Sequence, residues 1–172
     1  MSVDVRTGPR ALALSALLLA ASCGGEDEPA APATVADVGL DADPFAVVSD
    51  AALTARLAHT RARAAEADRR VLLLFVADWC EDCHEVVRLA RQGEARRVIE
   101  ERYVVVYVDI GRRDRHVALL DAHAIDRIAA LVVLDPATGE RVAKTTLEPI
   151  TGAQRGLTSA DLARWLRAPS DA

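Results

Sequence analysis

Residues Phe75 to Val87 read FVADWCEDCHEVV. Cys80 and Cys83 flank Glu81 and Asp82, with Trp79 just before the pair and His84 just after it. The pair follows Val71-Leu72-Leu73-Leu74-Phe75-Val76-Ala77, an apolar run of strand length without alternation, as expected of a central strand covered on both faces. From about Cys80 onward, Cys83, Val86, Val87 and Ala90 recur at helical spacing, with a bend expected near Gly93. Four chemistries fit a Cys-x-x-Cys-His at such a place: a redox pair, a haem attachment, half of a metal site, or a structural disulfide without exchange activity.

The N-terminus bears on the choice, because it bears on the compartment. Arg6 and Arg10 precede the apolar run Ala11 to Ala20, then come the small residues Ala21 and Ser22, and then Cys23. That order is a secretory signal, and the run is shorter than the roughly 20 apolar residues of a membrane span. Leu19-Ala20-Ala21-Ser22-Cys23 resembles the bacterial lipobox, in which the cysteine takes a diacylglycerol and becomes the mature N-terminus; Ala20 stands where that motif most often has Leu. The expectation is a signal peptide over residues 1–22, a lipid anchor on Cys23, and an extracytoplasmic, membrane-anchored product, periplasmic in a Gram-negative cell. Cys80 and Cys83 are then the only free thiols of the chain's three, in a compartment that permits disulfides.

A formal charge of −5 argues against nucleic acid as a partner. Residues 23–44, rich in Ala, Pro, Gly and acids, bury too little apolar surface to fold alone and read as a flexible tether. The domain proper is expected over residues 45–172. It starts with a helix whose apolar stripe holds Val48, Ala52, Leu53, Ala55, Leu57 and Ala58, while Arg56, Arg61 and Arg63 form a solvated face. After the Cys-x-x-Cys helix comes the strand YVVVYVDI from Tyr103, then a helix through Val117, Leu120 and Ala124. Leu131 to Leu134 and Arg141 to Leu147 read as two strands joined by the turn Asp135 to Gly139, and Thr158 with Asp161 reads as a capping pair that opens a last helix.

This order, with Cys-x-x-Cys opening the first long helix after the first strand and Trp79 before the first cysteine, resembles the thioredoxin-like superfamily, in particular its extracytoplasmic thiol:disulfide interchange members. The resemblance runs over roughly residues 46 to 168. It implies an α/β fold, a βαβ-α-ββ-α core with an extra N-terminal helix, in three α/β/α layers around a mixed sheet. It also implies a thiol:disulfide oxidoreductase that needs no cofactor beyond its own redox-active disulfide. Cys80, at the helix N-terminus where unpaired N–H groups and the dipole favour a thiolate, is the expected exposed nucleophile, and Cys83 the resolving thiol. Trp79, Glu81, Asp82 and His84 shape the site. The expected partners are disulfide-bearing proteins and, for the reducing direction, a membrane electron donor.

Two positions depart from the family. Leu74 stands where thioredoxins usually carry a buried aspartate, so the resolving thiol's proton would have to move through water, Glu81, Asp82 or His84. Ala129, in Ile128-Ala129-Ala130-Leu131, stands where the family has a cis-proline; a cis bond before a non-proline residue costs about 2.5–4 kcal/mol, so a trans bond and a reshaped groove are expected. These departures keep a rival reading open: a redox-inactive adaptor, or a metal-binding protein. Cys80, Cys83 and His84 supply fewer than the four ligands of a closed site, so metal would have to bridge two copies. For haem, Met1 is lost with the signal, a distal ligand would have to be His59, His116 or His123, and the preceding strand is the wrong setting.

Overall fold

The apolar run ahead of the cysteines forms β1 (Arg70–Val76), and Val71 to Ala77 are all fully buried. Our computed structural model describes residues 38–147 and 156–171 of the chain. β1 pairs in parallel with β2 (Tyr103–Asp109) on one side and antiparallel with β3 (Ala130–Leu134) on the other, and β3 pairs antiparallel with β4 (Arg141–Thr145). The sheet is therefore mixed, in the order β2-β1-β3-β4. Its register matters for function. Val76 lies opposite Asp109 and Phe75 opposite Ala130, so the ends of β1 and β2 and the start of β3 meet at one pole.

Successive β1 side chains point to opposite faces, and the complete burial of Val71 to Val76 means that both faces are covered. One helical layer comprises α2 (Glu81–Ala90), α3 (Gly93–Arg102) and the last helix, α5 (Ser159–Arg167), which pack on one another. The other comprises α1 (Asp50–Glu66), which lies on β1 and β2, and the short α4 (Val117–Ala122), with which α1 shares a cavity of about 270 Å³. The α/β layering is thus the expected one. The bend expected near Gly93 is a complete break at Arg91 and Gln92: Gly93, at φ +50, opens α3, and a Cβ there would stand 3.1 Å from the Ser159 hydroxyl. The capping box is present, with the Thr158 side chain accepting from Asp161 N–H and Asp161 accepting in return from Thr158 N–H.

Two expectations need correction. The buried positions of α1 are Leu53, Arg56, Thr60 and Ala64, whereas Ala55 and Ala58 are exposed. Arg56, expected on a solvated face, is 7% exposed, because one methyl group per alanine rewards burial too little to set the helix rotation against a larger side chain. Second, the expected tether ran to Pro44, yet residues 38–44 lie against the domain. Gly39 N–H donates to the Val105 carbonyl (2.9 Å), the Tyr107 hydroxyl donates to the Leu40 carbonyl (2.9 Å), and Arg91 donates to the carbonyls of Leu40 (2.9 Å) and Ala42 (2.6 Å). A composition poor in apolar residues is docked here by its backbone groups and by the side chain of Leu40, which is buried in the core. Cys23 and the expected signal lie outside the described residues, within which no helix is long and apolar enough to cross a membrane.

Candidate active site

Cys80 is the N-cap of α2, in extended conformation at φ −97 and ψ 109, and its sulfur accepts the Cys83 backbone N–H at 3.1 Å. A cysteine thus occupies the place where Ser, Thr, Asp or Asn usually satisfies the free N–H groups of a first turn. Cys83, three residues on, lies over the same turn with its Cα 5.2 Å from that of Cys80, and the two form a disulfide. Glu81 and Asp82 fill the first turn as exposed acids, a favourable place for negative charge beside the helix N-terminus.

Cys83 is completely buried. Cys80 was expected to be exposed, but it is only 5% exposed, because the disulfide and the capping hydrogen bond fold its sulfur over the helix end. The pair therefore offers a narrow opening on the Cys80 side alone. Trp79 beside it is half exposed, and its indole N–H donates to the Gly111 carbonyl at 2.8 Å, tying the cysteine turn to the loop after β2. His84 turns back along its own helix: its Nε2 lies 2.6 Å from the Asp78 carbonyl, and its ring lies 4.6 Å from that of Phe45 between centroids. A carbonyl oxygen only accepts, so Nε2 carries the proton.

Leu74 is fully buried in β1 between Tyr107 and Leu131, so no carboxylate stands at that position. Ala129 is 1% exposed and takes φ +57, in the left-handed region that favours glycine; none of the described peptide bonds is cis, so the bond expected to be trans is trans. The register places this strained alanine next to β1 at the pole where the cysteines emerge.

Asp109 and Phe45 also lie at the site, beyond the residues that the motif marks. Asp109, at the end of β2, is 4% exposed; one carboxylate oxygen accepts from Arg115, and the other accepts the Gly111 N–H at 3.2 Å. It orders the loop that receives Trp79, and the available signal was an acid closing an apolar strand just before Gly111-Arg112-Arg113. Phe45 gave no signal, since its contact with His84 joins segments far apart in the chain. Cys80 and Cys83 aside, His123 is packed edge-on against Phe75 (6.2 Å between centroids), and burial, with the Arg141 cation adding to it, holds its pKa below the ordinary imidazole value. Among the described residues no three or more His, Cys, Asp or Glu are grouped so as to hold a metal ion.

Comparison with known proteins bears on this geometry. A family model described as thioredoxin-like matches residues 52–136. No curated protein matches the chain by sequence. Among solved structures, a disulphide isomerase from Xylella fastidiosa Temecula1 superposes with a TM-score of 0.60 at 25% identity, over 72% of this chain and 94% of that one. The DsbD c-terminal domain of Neisseria meningitidis superposes in its oxidised form with a TM-score of 0.51 at 22% identity, over 71% of this chain and 97% of that one. Its reduced form gives 0.51 at 23%, over 68% and 93%. With its mixed four-stranded sheet and its Cys-x-x-Cys at the N-terminus of the helix after the first strand, the chain is a member of the thioredoxin-like superfamily.

Proposed function

We propose that the chain is a thiol:disulfide oxidoreductase that reduces protein or small-molecule disulfides outside the cytoplasm, tethered by lipid on Cys23 and recharged by a membrane electron donor. The observation that carries this reading is the Cys80–Cys83 disulfide, with Cys80 as N-cap and the only one of the two with any opening to solvent. In the reduced protein the Cys80 thiolate attacks one sulfur of a substrate disulfide, forming a mixed disulfide and expelling the other sulfur as a thiolate. Cys83, deprotonated, then attacks Cys80 Sγ, which restores the internal disulfide and frees the second substrate sulfur. Two electrons pass to the substrate, and the donor returns two.

The reducing direction rests on charge. Glu81 and Asp82 oppose a thiolate on Cys80, while the helix N-terminus favours it; where repulsion prevails, the dithiol is held as thiol and gives up its electrons more readily. With Leu74 in place of an acid, the Cys83 proton leaves by water or the first-turn carboxylates. The extracytoplasmic setting and the anchor are supported by the N-terminal pattern, and the disulphide isomerase among the structural relatives fits exchange chemistry.

The test is the reduction potential of the pair in the full chain bearing Cys23→Ser, by thiol trapping across redox buffers with metal content assayed alongside. A reversible couple near about −270 mV supports a reductase, and one near about −120 mV an oxidant. The absence of a reversible couple would favour the adaptor reading, to which the unusual Ala129 lends weight. In cells, Cys83→Ser should accumulate mixed disulfides through Cys80, and Cys80→Ser far fewer, read on non-reducing gels.

A further inference from the structure

The contact between Phe45 and His84 has no part in the exchange steps, yet it reaches the nucleophile through bonded neighbours. Phe45 ends the docked strap that Arg91 and Tyr107 hold by its carbonyls, and its ring is partly buried against the core. The strap thereby delivers an aromatic ring to an imidazole on an exposed helix face; the centroids are 4.6 Å apart and the planes tilted by 45°. His84 spends its Nε2–H on the carbonyl of Asp78, at 2.6 Å. Asp78, Trp79 and Cys80 are consecutive, and Cys80 N–H in turn closes the turn onto the Ala77 carbonyl at 3.2 Å.

We infer that Phe45 is a positioning residue for the Cys80 sulfur: its ring fixes His84, whose hydrogen bond to the Asp78 carbonyl holds Cys80 in the extended N-cap geometry at which its sulfur receives the Cys83 N–H. This rests on the proposed oxidoreductase reading and deepens it. An ordered cap favours the thiolate, so loosening it slows Cys80 and shifts the pair toward the disulfide. A leucine at position 45 fills much of the same space without a ring, whereas a tyrosine keeps the ring.

The experiment uses the full chain bearing Cys23→Ser. Two quantities are read at pH 7: the alkylation rate of Cys80 in the reduced protein, and the equilibrium of the disulfide with two reduced glutathiones, which yields the dithiol and one oxidised glutathione. Phe45→Leu is expected to slow alkylation, and to shift the equilibrium toward the protein disulfide, by about threefold each, within the range one aromatic pair contributes. Phe45→Tyr is expected to match the wild type. In a His84→Ala background, Phe45→Leu is expected to add nothing, a coupling that general loosening of the fold would not produce. Since His84 is exposed, His84→Ala also tests the linkage should Phe45→Leu fold poorly. Unchanged rate and equilibrium in Phe45→Leu and His84→Ala, or a full Phe45→Leu effect without His84, overturns the inference alone. A wild-type pair that never equilibrates with glutathione overturns the oxidoreductase reading, and the inference with it.

Discussion

Ala129 carries a side chain where the backbone suits glycine, and the cost of a left-handed alanine is roughly 1–2 kcal/mol. Ala129→Gly should therefore raise stability by up to about 1 kcal/mol in urea unfolding, once the unfolded-state entropy of glycine is set against the relief. Ala129→Pro, which restores the family's residue type, should instead destabilise, because the proline ring requires φ near about −65° and the position holds φ +57. Leu74→Asp should fail in the same way: the side chain is completely buried, the one polar side-chain group in its strand register, the Tyr107 hydroxyl, already donates to the Leu40 carbonyl, and the loss should be about 3 kcal/mol or more at neutral pH. His123 carries a pH dependence. Burial holds its folded pKa below the unfolded one, so above the ordinary imidazole range both states are neutral and the stability is complete. As pH falls below about 6.5 the unfolded chain takes a proton first, and stability drops until the folded pKa is passed. Urea midpoints at pH 7.5 and 5.5 should differ less in His123→Leu than in the wild type.

At the scale of elements, the cysteine helix is short, and its direction depends on what holds its two ends. Cys80 caps the start, and α5 buttresses the break that follows it: Ser159 donates to the Gln92 carbonyl at 2.7 Å and accepts from Ala95 N–H at 2.9 Å. One hydroxyl thus joins the α2–α3 break to the first turn of α5, itself capped by Thr158 and Asp161. Thr158→Ala should cost about 1 kcal/mol, as the loss of an N-cap does, and Ser159→Ala a similar amount through two unmet backbone groups. Both substitutions act far from the disulfide in sequence, so calorimetric midpoints should fall while Cys80 alkylation changes little. The loop from Gly111 to His116 is held at its start by Asp109 and at its end by His116, whose Nδ1 lies 2.5 Å from Asp50. Both ends being pinned, Trp79 finds its carbonyl acceptor at a constant place.

Over the whole molecule the strap and the site occupy connected ground. Val38 to Leu40 lie along the first half of β2, near Tyr103 to Val105, while Phe45 reaches the pole of the cysteines. The described chain therefore enters the domain toward the end opposite the disulfide. Arg91 is the fastener: it donates to two strap carbonyls and its guanidinium lies 5.5 Å from the Tyr107 ring centroid. Arg91→Ala should lower stability by about 1–3 kcal/mol and open residues 38–45 to limited proteolysis, whereas Asp41→Ala, which removes only an exposed pairing with Arg96, should do neither measurably.

The order of elements, the sheet's buried centre, the cap at Thr158 and the seat of the cysteines at a helix start were all legible in the chain, because each depends on spacing along a single segment. Apolar runs report burial, periodicity reports the helix, and a cysteine directly after a strand falls on the helix end whatever packs around it. The rotation of α1 that buries Arg56, the docking of residues 38–44, the clasp of Asp109 on its loop and the meeting of Phe45 with His84 were not legible. Each depends on which groups distant segments present to one another, and a backbone carbonyl that accepts from an arginine carries no mark in the residue type. The sequence by itself determined that Cys80 and Cys83 stand as a pair at a helix start, since only their spacing and their place after a strand were needed. The tertiary structure alone decided how far Cys80 opens to solvent, that Ala129 takes a left-handed backbone, and that Phe45 meets His84 beside the cysteine turn, since these follow from packing between strands and loops that only the closed fold brings together.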